Sequence, residues 1–451
     1  MEPTSRSGPM PACPYRAGLT PPHGPAMDQD PAAFYARLRR RGGPVVPVEI
    51  APGVAAWLVL THREVLEVIW RADQYSSDPR RWDAASHGRL PEDTPVPPLL
   101  GPRPAVLRLD GEEHLRHRRA LTETLGRLDP RQLSRLVRHR ANALVDSWSV
   151  RGAADLMTEY ARPLVWEVFA HLLGLSDDSV TTLDVLSQTV VNGFPHAVQA
   201  DAKLLDAFRR VVDERSVTPA PDLASWLVQD MALSDDEVAH NLLALALTGG
   251  ESTIGWIGTS VRLLLAHRGP ALATGTGDSV SRLMEHALHA GAPMPNVPGR
   301  WATGDTTLAG HRIRRGDLVI PCLAAANTDP ELEGATASRM RAHLAWGTGS
   351  HGCPAKEAAR VISEAALEVL LDRLAGLRPA LPDSALRHPS LWCGAPAELP
   401  VTFAATTSDT GRGRVASPQT VMEAPAERRA DRAPHEAPPQ RWGWWNSFGG
   451  W

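Results

Sequence analysis

One cysteine stands alone among glycines in the stretch HLAWGTGSHGCPAKEAARVI, His343 to Ile362. Cys353 has no partner nearby: Cys13, Cys322 and Cys393 are scattered and none forms a CxxC pair, which argues against a disulfide framework or a structural zinc site. Behind it, apolar residues recur at Ala358, Val361, Ile362, Ala365, Ala366 and Val369, with Arg360 and Glu364 on other faces. That period predicts a helix starting just after the cysteine, with Pro354 in its first turn. The unpaired N–H groups and positive dipole end of such a helix favour a thiolate. Gly347, Gly349 and Gly352 let the backbone turn sharply and approach a flat ligand with no Cβ in the way. A thiolate so placed suits the axial position of a haem iron. The bland alternative is an inert buried cysteine beside a glycine turn.

The residues from Trp346 to Ala355 resemble the haem-binding signature of the cytochrome P450 superfamily, F-x-x-G-x-H/R-x-C-x-G. Trp346 stands at the aromatic position, Gly349 at the first glycine, His351 at a propionate-binding position, Cys353 at the thiolate ligand and Ala355 at the last glycine. Three further segments fall in the family's order, so the resemblance covers roughly residues 30 to 405. In LDGEEHLRHRRAL, His114 and Arg118 match the family's H-x-x-x-R pair, and two such groups four apart on one helix face can hold one carboxylate. In NLLALALTGGESTIGWIG, Gly249 and Gly250 weaken a helix interior, and the resemblance implies that they leave space for dioxygen. It also implies that Glu251 is the acid and Ser252 the alcohol that guide protons to bound oxygen. Arg300, before the strands around LAGHRIRRGDLVIP, takes a second propionate-binding position.

The pattern breaks at one place. The family's E-x-x-R motif is replaced by His286 and His289, and the region between Asn327 and Leu344 is shorter than usual. Losing both ends of a buried Glu–Arg pair together is tolerable. An actinobacterial subgroup lacks the same motif, and the chain is most similar to it. The two histidines, three apart, could be read as a metal pair, but no carboxylate or cysteine completes a site at recognisable spacing.

The elements that must position these groups read as mainly helical with a minor β component. A helix, two short strands and a second helix span 31–72, followed by an irregular proline-rich loop from Arg80 to Pro104. Helical patterns dominate from Gly111 to about Asp278, short strands fill 297–323 with a tight turn at RRGD, and short strands return near ELPVTFAA. Residues 1–30 read as a flexible leader, 31–406 as the haem domain and 407–440 as a disordered linker. The last segment, 441–451, carries four tryptophans between Trp442 and Trp451. The resemblance implies the triangular-prism cytochrome P450 fold, with haem between the central helix and the helix after the Cys loop.

The 451 residues carry a formal charge of −4, against a general nucleic-acid binder. No apolar run reaches membrane-spanning length and no signal core stands at the start, so a cytoplasmic protein is expected. The resemblance implies a haem b monooxygenase of secondary metabolism acting on a hydrophobic small molecule or peptide side chain. Electrons would come from a ferredoxin and its reductase, with Arg116, Arg119, Lys356 and Arg360 placed to attract an acidic ferredoxin. Cavity walls are expected from Arg80–Pro104, Val190–Ala200, 293–298 and Trp392–Ala395. Two alternatives stand beside this reading: a degenerate haem-binding scaffold with little turnover, and oxidative cross-linking of an aromatic peptide such as the Trp-rich tail, which could also dock a partner.

Overall fold

The computed structural model describes residues 19–91, 94, 96–266, 277–332 and 343–406, all within the unit Met1–Ser408. Its element order begins with a short helix, Pro25–Gln29, whose Met27 is buried in the main core. The leader expected over 1–30 is corrected in its described part, because burial of that apolar side chain fastens the segment. Residues 1–18, the linker over 407–440 and the Trp-rich peptide lie outside the described residues.

Asp30 accepts a hydrogen bond from the Ala33 N–H and, with Pro31 in the first turn, starts the helix Pro31–Gly42. Strands β1 (Val45–Ala51) and β2 (Val54–Val59) form a hairpin with Val45 opposite Val59, and the helix His62–Trp70 follows. The loop expected to be irregular from Arg80 holds single helical turns at Pro79–Arg81, Asp83–Ser86 and Pro97–Leu100. Asp78 starts the first of these by accepting from the Arg80 N–H at 2.9 Å.

The remaining strands are β3 (Tyr75–Ser76), β4 (Ala153–Asp155), β5 (Arg300–Ala302), β6 (Thr306–Leu308), β7 (His311–Ile313), β8 (Leu318–Pro321), β9 (Arg378–Pro379) and β10 (Pro400–Thr402). The main sheet runs β1-β2-β8-β5-β3, with one parallel junction that sets Trp57 opposite Val319. At RRGD the expected turn forms: Asp317 N donates to the Arg314 carbonyl, and Gly316 has φ 79°, a region glycine enters freely. Strand β4 interrupts a stretch read as helical. It is three residues long and pairs with distant β10, so no local period announces it.

The central helix is Asp235–Ala244, a π-helical segment Leu245–Gly250, and Glu251–Ala266 in succession. Ser234 and Glu237 close its start as a reciprocal capping box. Trp166, Trp256 and Trp301 are among the largest fully buried side chains. Such rings remove about 150–250 Å² each from water, at most about 4–6 kcal/mol apiece. Trp256 donates its indole N–H to the Met284 carbonyl at 2.9 Å, tying the central helix to the helix Gly277–Ala290. The helix after the cysteine, Lys356–Arg373, accepts a 2.6 Å hydrogen bond from the Tyr160 hydroxyl at the Ala366 carbonyl. No described helix is long and apolar enough to cross a membrane.

Candidate active site

Four elements converge on one cavity: the helix Gly111–Leu125, the central helix, the segment 293–300 and the glycine-rich loop that carries Cys353. The loop is fixed by its own backbone. Gly347 N donates to the Leu344 carbonyl at 2.7 Å, and Cys353 N donates to the Trp346 carbonyl at 2.8 Å. Gly347 and Gly349 have φ of 63° and 67°, where a side chain would be strained. Trp346 meets Trp256 edge to face with ring centres 5.0 Å apart. The helix starts later than expected: Lys356 is its first residue and Ala355 its cap position. Pro354 therefore lies ahead of the first turn, and Cys353 sits two residues before the cap. Burial pushes the Cys353 thiol up, opposed by the Ala355 N–H and by Lys356 and Arg118.

His114 and Arg118 sit together as their spacing predicts. His114 stacks on His351 with ring centres 4.1 Å apart, and Arg118 donates to the carbonyls of Ser350 and Gly352 in the Cys loop. His351 Nε2 lies 3.1 Å from Ser77 Oγ and 3.7 Å from Asp110. Burial pushes the Asp110 carboxyl up, but hydrogen bonds from His351, Ser76 and Ser77 outweigh it and hold it well below the usual range. Burial, then the charges of His351 and Arg118, bring His114 down to about 4. Arg300 is buried and donates to the Gly299 carbonyl at 2.9 Å; burial lowers it to about 10.

On the central helix, Gly249, Ser252 and Thr253 line the cavity. Ser252 Oγ and Thr253 Oγ1 both donate to the Gly249 carbonyl, at 3.2 and 2.7 Å. Gly249 lines the cavity and Gly250 does not, and both glycines have a packing role. A Cβ at Gly249 would meet Phe169 at 3.2 Å, and one at Gly250 would meet Trp166 at 2.7 Å, so both serve close packing against aromatic rings. Glu251 does not line the cavity. It is buried and paired with Arg162 at 2.7 Å, which in turn holds Asp184 at 2.6 Å.

At the E-x-x-R position, His289 Nδ1 is buried without a hydrogen bond. The preceding residue of His286 supplies a connection that the sequence reading missed. Glu285 accepts from Arg360 at 2.7 Å and lies 3.3 Å from His343, joining this helix to the Cys-loop helix. Among the described residues, no three His, Cys, Asp or Glu cluster as a metal site. Arg360 is thereby engaged, as are Arg116 with Glu237 and Arg119 with Glu123; of the four cations proposed for ferredoxin docking, Lys356 makes no ion pair among the described residues.

Of the expected walls, the 293–298 segment contributes Pro293, Met294, Val297 and Pro298. The described parts of Arg80–Pro104, Val190–Ala200 and Trp392–Ala395 do not line the cavity. The last is wedged beside the central helix instead, with Cys393 Sγ on the Glu251 carbonyl and Gly394 N on the Pro293 carbonyl. Arg108, Leu107 and Val106 take their place. Arg108 was missed because no motif or period marks it; Thr253 was visible beside Ser252.

These residues fit a haem. The His114 Nε2 atom is buried with no partner, and neither Arg118 nor Arg300 has an ion-paired carboxylate among the described residues, which suits two propionates. The cavity opens to solvent, and with its mouth it encloses about 1340 Å³ of empty space. Cys353 reaches it from the Cys loop.

Fold and site together define a mainly helical haem-binding oxygenase. No family model matches the chain. Nocardicin C N-oxygenase of Nocardia uniformis subsp. tsuyamanensis is 32% identical to it over 400 residues, 84% of this chain and 96% of that one. Cytochrome P450-SU2 of Streptomyces griseolus is 30% identical over 404 residues, 85% and 94% of the two chains. Among solved structures, CYP154C4 from Streptomyces sp. W2061 matches with a TM-score of 0.75 at 28% identity, over 83% of this chain and 96% of that one. CYP154A1 from Streptomyces coelicolor A3(2) matches at 0.74 and 27%, over 85% and 100%. The chain belongs to the cytochrome P450 family. It is an oxidoreductase of the P450 monooxygenase kind, and its cofactor is haem b.

Proposed function

We propose that the Cys353 thiolate would hold the haem iron and that the chain oxidises a hydrophobic small molecule or peptide side chain in secondary metabolism, in the cytoplasm. The observation that carries this reading is the meeting of Cys353, His114, Arg118, Arg300 and His351 around one cavity that Ser252 also lines. Haem supplies the oxygen-activating and electron-accepting chemistry when bound. The chain's own residues do the rest. Arg118, Arg300, His114 and His351 would hold the propionates. Ser252 Oγ carries a proton at the cavity wall, and Thr253 beside it offers a second hydroxyl. Glu251, held by Arg162 behind the helix, serves as proton source only after release from that pair. Apolar walls such as Met294, Val297 and Leu245 exclude water.

Electrons come from a ferredoxin and its reductase, docking over the Lys356 end of the Cys-loop helix. Relatives support the setting, since one is nocardicin C N-oxygenase and another is a mycinamicin IV hydroxylase/epoxidase of Micromonospora griseorubida. The test is the absorption spectrum of the reduced protein under carbon monoxide. Wild type gives the red-shifted Soret band of a thiolate haem, and Cys353→Ala loses it. A Cys353→Ala protein with an unchanged band overturns the assignment.

A further inference from the structure

Arg108 is a buried cation that the reading above leaves unused. It is 7% exposed and lines the cavity. Backbone carbonyls fix it: Nη1 donates to Pro298 at 3.0 Å and Leu107 at 3.3 Å, and Nη2 donates to Leu99. Among the described residues it has no carboxylate within ion-pair distance and its Nε–H makes no hydrogen bond. Its charged neighbours are Arg103 and Arg300, and Arg103 is already paired with Asp201 at 2.9 Å. Burial, with those two charges, lowers Arg108 to about 9. A guanidinium so desolvated is costly until an anion meets it, and its planar fork matches a carboxylate.

The grip on Arg108 differs from that on Arg118 in the propionate clamp, although Arg300 of that clamp is among its charged neighbours. Arg118 is held by the Cys loop, and His114 and His351 stack beside it. Arg108 is held by Leu99 and Pro298, the latter in the cavity wall beside Val297 and Met294. The same cavity is lined by the apolar Val106, Leu121 and Leu245 and by the polar Asn241, which accepts from the Val106 N–H at 3.0 Å. Resting on the monooxygenase reading, we infer that the substrate is an apolar molecule ending in a carboxylate, and that Arg108 receives that carboxylate in the cavity wall.

The test titrates haem-loaded protein with dodecanoate and 4-phenylbutyrate, each against its methyl ester, following the spin-state change of the Soret band. Wild type prefers an acid over its ester by about 10- to 100-fold, the scale of a hydrogen-bonded charge pair. Arg108→Leu keeps its haem and its reduced carbon monoxide spectrum but loses the preference, while Arg108→Lys retains part of it. No acid preference in wild type, or a preference that survives in Arg108→Leu, overturns the inference. So does loss of haem from Arg108→Leu, which would place the residue in the propionate clamp. Failure of the wild type to take up haem at all would sink the monooxygenase reading instead.

Discussion

The Arg162–Glu251 pair offers a quantitative test of how the central helix is held. Replacing Arg162 by methionine keeps a long, helix-compatible side chain but leaves the Glu251 carboxylate, 4% exposed, with no cation. Asp184 suffers less, since Trp166 Nε1 still donates to it at 2.9 Å. Breaking a buried pair from one side costs about 3–5 kcal/mol, which is the expected loss for Arg162→Met. Glu251→Gln leaves Arg162 paired with Asp184 and removes a charged acceptor alone, at about 1.5–3 kcal/mol. The double variant has no stranded charge, so its loss falls short of the sum by about 2 kcal/mol. Urea unfolding at neutral pH, followed by tryptophan fluorescence, measures all three. Burial already pushes the Glu251 carboxyl up, and removing Arg162 pushes it further. A folded state that holds its proton more tightly than the unfolded chain loses stability as pH rises through that range, so the Arg162→Met defect shrinks on acidification. A loss below about 1 kcal/mol for Arg162→Met, or additive singles, would refute the reasoning.

Three further outcomes are expected. Gly250→Ala drives a Cβ to within 2.7 Å of the buried Trp166 ring and should be at least about 1 kcal/mol less stable than Gly249→Ala, whose Cβ meets the half-buried Phe169 at 3.2 Å; thermal unfolding compares them. His240 and His388 are both held down to about 4, chiefly by burial, then by Arg103 and Arg262 respectively. The unfolded chain takes up those protons near pH 6.5, so their stability is complete above that pH and is lost as pH falls toward 4; His388→Gln should flatten the fall in urea midpoint between pH 7 and 5. Glu285→Ala should cost about 1–2 kcal/mol by urea unfolding and make a subsequent Arg360→Ala nearly silent, as expected of two ends of one contact.

The site was legible wherever chemistry is local in the sequence. Cys353 with its glycines can be read from spacing, whereas His114 with Arg118 and Ser252 after the paired glycines stand out only through the resemblance to the family's motifs. What escaped depends on distance. The glycines at 249 and 250 are adjacent to an expected oxygen site, but their reason lies in Trp166 and Phe169, some eighty residues earlier. Glu251 looks poised for proton transfer until Arg162 is brought against it. Glu285 carries no mark of its partners at 343 and 360, and Arg108 none of the carbonyls that seat it. The β4 strand falls in the same class, since three residues have no period to read.

That strand bears on the making of the protein. Asp155 of β4 lies opposite Pro400 of β10, a separation of 400 − 155 = 245 residues. At about 5–20 residues per second, a ribosome delivers the second partner roughly 12–50 s after the first. Throughout that interval the edge of β4 is bare and the helices beyond it must collapse without it. The nascent chain therefore spends most of its birth with this seam open.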